Sequence, residues 1–528
     1  MPSLLSRRAF LDRSVKLGAL TALATLTDVP FVMRRALADG QIGRNGNKLL
    51  FIFLRGANDA LNSVIPMGDD AYGPGIRPDI AIGRQPGLDY TATGPADFPE
   101  SGPAGATFDY PFGIRLGNGF SALHPSLKFL APVYNAGELA MIHRVAYPGQ
   151  SRSHFDSQNY WENGDPNNDL SRDGIFYRAI IESGLANTSP LTGVSFQSSL
   201  PLILRGSQAA MTNLSDPTRY NLFGIPNTAA GNAKADAALR AAMGAEFAGK
   251  QNRDLLRLQY DNLSGTLDIF AQLNFSEAGN TYTDAGNTDG HRPYHLFPTS
   301  NAKNGGGTAA RYVVSPQNYE FFERLKAAAI VLNKTDAMIA GTQLDGFDTH
   351  SNQGGATGSH ANLQRAIAWA IYGLRQYFSK HPDRCNWNSL TVVTLSEFGR
   401  TTVQNSDVGT DHAEAGVMFV AGGAVKGHGR HATGSGVIAA TPSGALNGQN
   451  VPWVTGMGGS MFGAKGRYLK RAVDFRSVLG ELIRNHLGAT PEQLGRIIPG
   501  YRDAAEALER GGVSGVDGVR IFGEVGVV

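Results

Sequence analysis

The chain has 528 residues, 66 of them glycine and one cysteine, with 47 basic against 45 acidic side chains and a formal charge of +2. That length can bury a large core, as one big α/β domain or as two. The lone Cys385 excludes an internal disulfide, and the balanced charge gives no footprint for nucleic acid or an anionic membrane surface. Ser6-Arg7-Arg8-Ala9-Phe10-Leu11 opens the chain's clearest signal; an apolar stretch from Leu17 to Leu26 and the small-x-small triplet Ala36-Leu37-Ala38 follow. Together they read as a twin-arginine export signal over residues 1–38. Its removal takes away six basic and two acidic residues and brings the charge to −2. Such a leader implies passage through the twin-arginine translocase in the folded state, and a periplasmic or secreted protein. Folding inside the cell lets a protein take a chosen metal before it meets copper and zinc outside. No later run is long enough to span a bilayer.

Lys48–Leu54 reads as a buried strand, and Arg55-Gly56-Ala57-Asn58-Asp59 leaves its end. Residues 68–121 read as surface loop. A helix opens at His124-Pro125, and Leu139–Val145 is the next strand. Ser151-Arg152-Ser153-His154-Phe155 then leads into a helix reaching Trp161. Ser151 or Ser153 is either that helix's cap or a hydroxyl facing the same crevice as Asp59. Asp173 is expected to cap a further helix. Residues 233–273 read as a long helix, 275–311 as a mobile loop, and 184–335 as an insertion or lid. Asp284 to Gly290 lacks the spacing and final Glu of a calcium loop.

The densest stretch runs from Gln343 to His412. Met338–Gln343 reads as a strand, followed by Asp348 and His350. Ser359 is positioned to cap a helix whose apolar residues Leu363, Ile367, Ile371, Leu374 and Phe378 form one stripe. The β-branched run Leu390–Leu395 is the next strand, with Glu397 and Arg400 straight off its end. Asp411 and His412 precede the strand Gly416–Ala421; the glycine-rich segment with His428 after it fits neither the Walker nor the dinucleotide pattern. Strand ends of an open α/β sheet are where such a fold builds its site. Each group alone is most simply a cap or a paired surface charge. Five loops delivering Asp59, Ser153/His154, Asp348/His350, Glu397/Arg400 and Asp411/His412 together point to a divalent metal, with Arg400 as oxyanion clamp. Asn58 and Arg152 are the neighbouring candidates for substrate binding.

The leader, F-L-R-G-A-N-D-A-L-N, S-R-S-H-F, G-F-D-T-H-S-N-Q, S-E-F-G-R-T and G-T-D-H resemble one uncharacterised exported family. It is a domain of unknown function placed with the alkaline phosphatase and sulfatase superfamily. The resemblance covers nearly all of the chain after the leader. It implies a three-layer α/β sandwich with a mostly parallel central sheet and an inserted helical or loop region. By motif order Asp59, Asp348, His350 and His412 resemble metal ligands and Ser153 the nucleophile. The superfamily shows adjacent Asp-His where this chain has Glu397-Phe398, so one or two ions remain open, with His154 or Asp411 able to complete the second. Zinc is the first expectation for the metal, with manganese or calcium as alternatives. Two functions follow: an exported metal-dependent hydrolase of phosphate or sulfate esters, on a small ester or glycan-type substrate, or an altered centre serving binding at the envelope with a co-exported partner.

Overall fold

The computed structural model describes residues 42–69, 72–97, 110–215 apart from 188, 190 and 210, short pieces between 233 and 298, 314–439, 445–446, 449–450, 468–502 apart from 470, 508–513 and 520–528. The expected export signal and most of the stretches 233–273 and 275–311 lie outside the described residues.

In chain order the main elements are β1 (Lys48–Leu54), β2 (Leu139–Ala146), α1 (His154–Asn163), α2 (Ile175–Ser183), β3 (Gly193–Phe196) and β4 (Thr212–Leu214). Then come α3 (Tyr319–Lys334), β5 (Ile339–Leu344), α4 (Ser359–Lys380), β6 (Leu390–Leu395), β7 (Gly416–Ala421) and β8 (Val437–Ile438). The described chain closes with β9 (Val473–Asp474), α5 (Phe475–Glu481), β10 (Gly511–Val513) and β11 (Arg520–Phe522). These strands form one mixed sheet in the order β10-β11-β9-β2-β7-β6-β1-β5-β3-β4, with β8 beside β2. The pairs β6–β1, β1–β5, β5–β3 and β3–β4 are parallel; β7 runs against both β6 and β2.

The strands are apolar on both sides because both faces are covered. Leu50, Ile52 and Leu54 of β1 belong to one core, with α3 and α4; Leu49, Phe51 and Phe53 belong to the other, with α1, α2 and α5. The result is an α/β architecture of three layers. In α4 the expected stripe is buried together with His360 and Gln364 along its margin, but so is Trp369 on the other side. Trp369 meets Phe129 edge to face at 4.9 Å, so a segment covers α4 on the side away from the sheet. On the opposite face Trp161 stacks on Phe475 at 4.3 Å and seats α1 against α5.

Several expectations shift. Ser359 is the first residue of α4, after a cap at Gly358, and its hydroxyl donates to the carbonyls of Asn352 and Gln353. Gly174, not Asp173, caps α2; the Asp173 carboxylate instead accepts from the Ser207 N–H at 3.1 Å. Within the expected insertion 184–335, β3 and β4 extend the main sheet and α3 packs on it, so those parts belong to the body. Arg77, in the stretch read as surface loop, is fully buried. His428 stacks on Tyr134 at 5.0 Å, away from the strand ends that carry the other histidines.

Gly341 of β5 sits beside Phe51 of β1, and a Cβ built there would lie 2.0 Å from the Phe51 ring. Gly341→Ala is expected to lower stability by about 1–3 kcal/mol through overpacking. In urea unfolding, adding Phe51→Leu should recover part of that loss, giving a non-additive pair.

Candidate functional site

Because β1, β5 and β6 run parallel, their carboxyl ends share one edge of the sheet. β7 is antiparallel to β6, so its start shares that edge, and β2, antiparallel to β7, ends there too. The loops after β2, β5 and β6 and the loop before β7 therefore meet. Their backbones approach closely at two glycines. A Cβ on Gly56, which has φ +106°, would lie 2.4 Å from the Asp348 nitrogen, and one on Gly409 would lie 2.3 Å from the His350 carbonyl oxygen.

Three imidazoles gather around one carboxylate. Asp348 Oδ1 lies 3.1 Å from His350 Nε2 and 3.2 Å from His412 Nε2, and its Oδ2 lies 3.4 Å from His154 Nε2. The Nε2 atoms of His350 and His412 are 2.9 Å apart. His154, Asp348 and His412 each offer one ligand atom, all within 4.8 Å of one another. His350 joins them through its two contacts.

The other ring nitrogens are tied outward. Nδ1 of His412 donates to the Arg152 carbonyl at 2.8 Å, and Nδ1 of His154 to Glu397 Oε1 at 2.9 Å. Nδ1 of His350 lies 3.3 Å from Asp411 Oδ1, which Asn405 also holds at 3.0 Å. A carbonyl or carboxylate oxygen can only accept, so Nδ1 carries the hydrogen and a neutral ring leaves Nε2 as a bare lone pair. This outward tie is the usual support of a metal-ligating imidazole. In a tetrahedral site with bonds of about 2.0–2.1 Å, neighbouring ligand atoms stand about 3.3–3.4 Å apart. The four contacts given above, at 2.9 to 3.4 Å, fall at or just below that, while the ligand atoms of His154, Asp348 and His412 as a set lie within 4.8 Å of one another.

The site is open on one side and closed on the other. Asp348 and His350 are 46% and 45% exposed, while Glu397 beneath His154 is 0% exposed. Burial works to raise the Asp348 pKa, but the Arg400 hydrogen bond and charge, with His412 and His154, outweigh it and hold the carboxyl below its ordinary value. Burial likewise opposes ionisation of Glu397, and hydrogen bonds from His154, Gln158 and the Gly56 N–H overcome it. The Glu397 bond raises the His154 pKa, whereas burial lowers that of His412.

The remaining expected residues are placed differently. Asp59 is buried in an ion pair with Arg77 at 2.6 Å, accepts from Gln353 at 2.6 Å, and caps the short helix Ala60–Ser63. The hydrogen bonds of Asp59 thus go to Arg77, Gln353 or its own helix, and it makes none with His154, Asp348, His350 or His412. Asn58 is 1% exposed; its carbonyl oxygen accepts from Gln364 and Ser63 at 2.7 and 3.1 Å, so it is no surface contact. Glu397 supports His154 through Oε1, and Asp411 supports His350. Arg400, expected to clamp an oxyanion, is buried and donates to the carbonyls of Gly56, Ala57, Phe347 and Thr410 and to Asp348. Ser153 caps α1, though its oxygen accepts from the Asp156 N–H only at 3.5 Å. The Arg152 guanidinium lies over the Tyr468 ring, and only its backbone carbonyl serves the centre. Phe398 packs 4.8 Å from both the His154 and His412 rings.

Residues 279–438 match the family described as Protein of unknown function (DUF1501). The matched part holds Asp348, His350, Glu397, Arg400, Asp411 and His412, whereas Asp59, Ser153 and His154 lie before it. No curated protein and no solved structure matched the chain.

Sequence reasoning missed Arg77 and Gln158. No local signal marks Arg77, which lies 18 positions from its partner Asp59 in a loop. Gln158 was within reach: it stands one helical turn after His154, on the same face.

Asp59→Asn is expected to cost about 3–5 kcal/mol of unfolding free energy at neutral pH, because it strands the buried Arg77 charge. Burial raises the Asp59 pKa, but Arg77, His360 and Gln353 bring it below the ordinary 3.8. A depressed folded pKa means stability that is present above the unfolded value and lost as pH falls through the folded one. The gap between wild type and variant in urea midpoints should therefore shrink only below about pH 4.

Proposed function

We propose that the protein is an exported metal-dependent hydrolase of phosphate or sulfate esters, with one divalent ion held by His154, Asp348, His350 and His412. The observation that carries this reading is the set of three imidazoles whose Nδ1 atoms are tied outward while their Nε2 atoms converge with a carboxylate. Four lone pairs facing one point repel unless a cation lies among them. Three imidazoles and a carboxylate suit zinc, with manganese second. Phe398, packed against two of the rings, fills the space beside them and favours a single ion over a pair. The twin-arginine leader supports export, and the likeness to the alkaline phosphatase and sulfatase superfamily rests on the motif order.

Bound there, a divalent ion would polarise an ester oxygen and lower the pKa of a hydroxyl or water beside it. The chain's own groups do the rest. Glu397, fixed by Gln158 and the Gly56 N–H, keeps the His154 ring in one tautomer and one orientation. The Ser153 hydroxyl precedes His154 directly, is half-buried, and holds its capping partner only loosely, so it is free to turn toward an ester as the nucleophile. The open side at Asp348 and His350 admits the ester. One observation favours the second reading, an altered centre that binds a co-exported partner: Arg400 is consumed inside the fold and leaves no free guanidinium for an oxyanion.

Elemental mass spectrometry of the protein exported by its native route should find about one equivalent of metal, lost in Asp348→Ala and His412→Ala. Glu397→Ala should keep the ion but bind it about 10–100-fold more weakly, as loss of an outer support does. In a screen of phosphate and sulfate esters, Ser153→Ala should lower kcat by about 10²-fold or more with metal content unchanged. A metal-free wild type would sink the metallohydrolase reading; an active Ser153→Ala would move the attack to water.

A further inference from the structure

The helix that carries His154 has a second face. His154 and Gln158 turn inward to Glu397. Phe155 and Asn159, also four residues apart, share the neighbouring face. Asn159 lines a cleft of about 610 Å³ together with Asp169, Arg172, Asp173, Arg205 and Ser207. At a rise of about 1.5 Å per residue, Asn159 lies about 7.5 Å along the helix axis from His154. The cleft and the metal site are therefore neighbours on one rigid element.

Its lining is unusual in two ways. Arg172 and Arg205 make no ion pair and no side-chain hydrogen bond among the described residues. The two carboxylates are engaged elsewhere: Asp169 accepts from the Tyr160 hydroxyl at 2.8 Å, and Asp173 from the Ser207 N–H at 3.1 Å. Moreover, the exposed large hydrophobic side chains among the described residues are Phe155, Leu170 and Val403, and two of these, at 84% and 83% exposure, stand close to lining residues in the chain. Phe155 stands one turn before Asn159, and Leu170 lies between the lining residues Asp169 and Ser171. The walls are fixed in advance. Asn168 bonds Asp165 at 2.7 Å, and the Arg178 guanidinium donates to the carbonyls of Asn163 and Asp173.

We propose that this cleft is a subsite for an acidic oligosaccharide, the carrier of the ester held at the metal centre; the ester part rests on the hydrolase reading, the cleft does not. A sugar ring offers hydroxyls that both donate and accept, which the mixture of Asp, Asn and Ser can meet. Its apolar C–H face can lie on an exposed ring such as Phe155. Two unpaired guanidinium groups match carboxylate or sulfate oxygens bidentately. A neutral glycan would leave both arginines unused.

Titration calorimetry on the full, metal-loaded chain tests this with a hexasaccharide carrying uronate and sulfate groups and a neutral hexasaccharide of equal length. The acidic sugar should bind at least about tenfold more tightly than the neutral one, and Arg172→Ala/Arg205→Ala should remove that advantage. Phe155→Ala should weaken both sugars. With an ester on the acidic hexasaccharide, the double variant should raise KM about tenfold and leave kcat within about twofold, without affecting a monosaccharide ester. Equal binding of the two sugars by the wild type, or unchanged binding by the double variant, would overturn the proposal. Asp348→Ala, tested for binding alone, separates the two readings. If the wild type turns over no ester yet the arginine-dependent binding persists in Asp348→Ala, the hydrolase reading falls and the cleft stands.

Discussion

One buried guanidinium holds the edge of the sheet together. Arg400 donates to the carbonyls of Gly56 and Ala57 after β1, of Phe347 after β5, and of Thr410 before β7, and it reaches the Asp348 carboxylate as well. Each hydrogen bond from a charged donor is worth about 1.5–3 kcal/mol, and an unpaired buried charge costs more than that. The loops therefore stay in one arrangement or lose the whole set. Asp348 is fixed by this network, and through Asp348 so is the point at which His154, His350 and His412 meet. The residue that sequence spacing offers as a reagent is, in the folded chain, the brace that makes the site possible.

A second buried pair lies behind the first. Arg77 binds Asp59 and the carbonyls of Thr401 and Thr402, while Gln353 bridges from Asp59 to Thr349 and Thr410. This layer links the stretch around residue 77 to the same loops that Arg400 ties. Backbone bonds from Asn352 to Asp407 and from Gln353 to Val408 close the remaining gap. Val408 takes φ +59°, a conformation in which a β-branched side chain is strained. Such a residue persists only where its surroundings over-determine it. The two backbone bonds and the adjoining Gly409, pressed against the His350 carbonyl, supply that constraint.

Much of the frame was legible. β1, β6 and β7 have the bounds that their apolar runs suggest, because a strand buried on both faces writes itself as an unbroken run. The strand–helix–strand spacing pointed to parallel strands with polar groups gathered at their ends, but the expected set held Asp59, Glu397, Arg400 and Asp411 beside His154, Asp348, His350 and His412. What could not be read is which polar group faces which. Asp59 and Asp348 both follow a buried strand by a few residues and look alike in sequence. Arg77 takes the first inward as an ion-pair partner, and only the loop geometry leaves the second half-exposed among three imidazoles. Likewise nothing local says that Glu397 lies under His154 and not beside Asp348, since that depends on the path of α1 across the sheet. Pairings between distant loops are set by tertiary packing, which local propensity does not record.

The same geometry bears on when the site becomes whole. Its four inner groups come from three separate loops, and bare lone pairs held this close would repel one another unless a cation lay among them. Closing that centre therefore costs free energy in the unloaded chain, and the cost is met by Arg400 and the Asp59–Arg77 layer, which do not depend on an ion. A bound ion adds stability in proportion to the logarithm of its concentration over its dissociation constant. On the metal-centre reading proposed above, the fold would form first and an ion would bind to a prepared site, with rings already held by Glu397, Asp411 and the Arg152 carbonyl. A protein exported in its folded state would gain from that order of events: the choice of ion is then made by a rigid donor set in the compartment where the chain folds, before other metals compete for it.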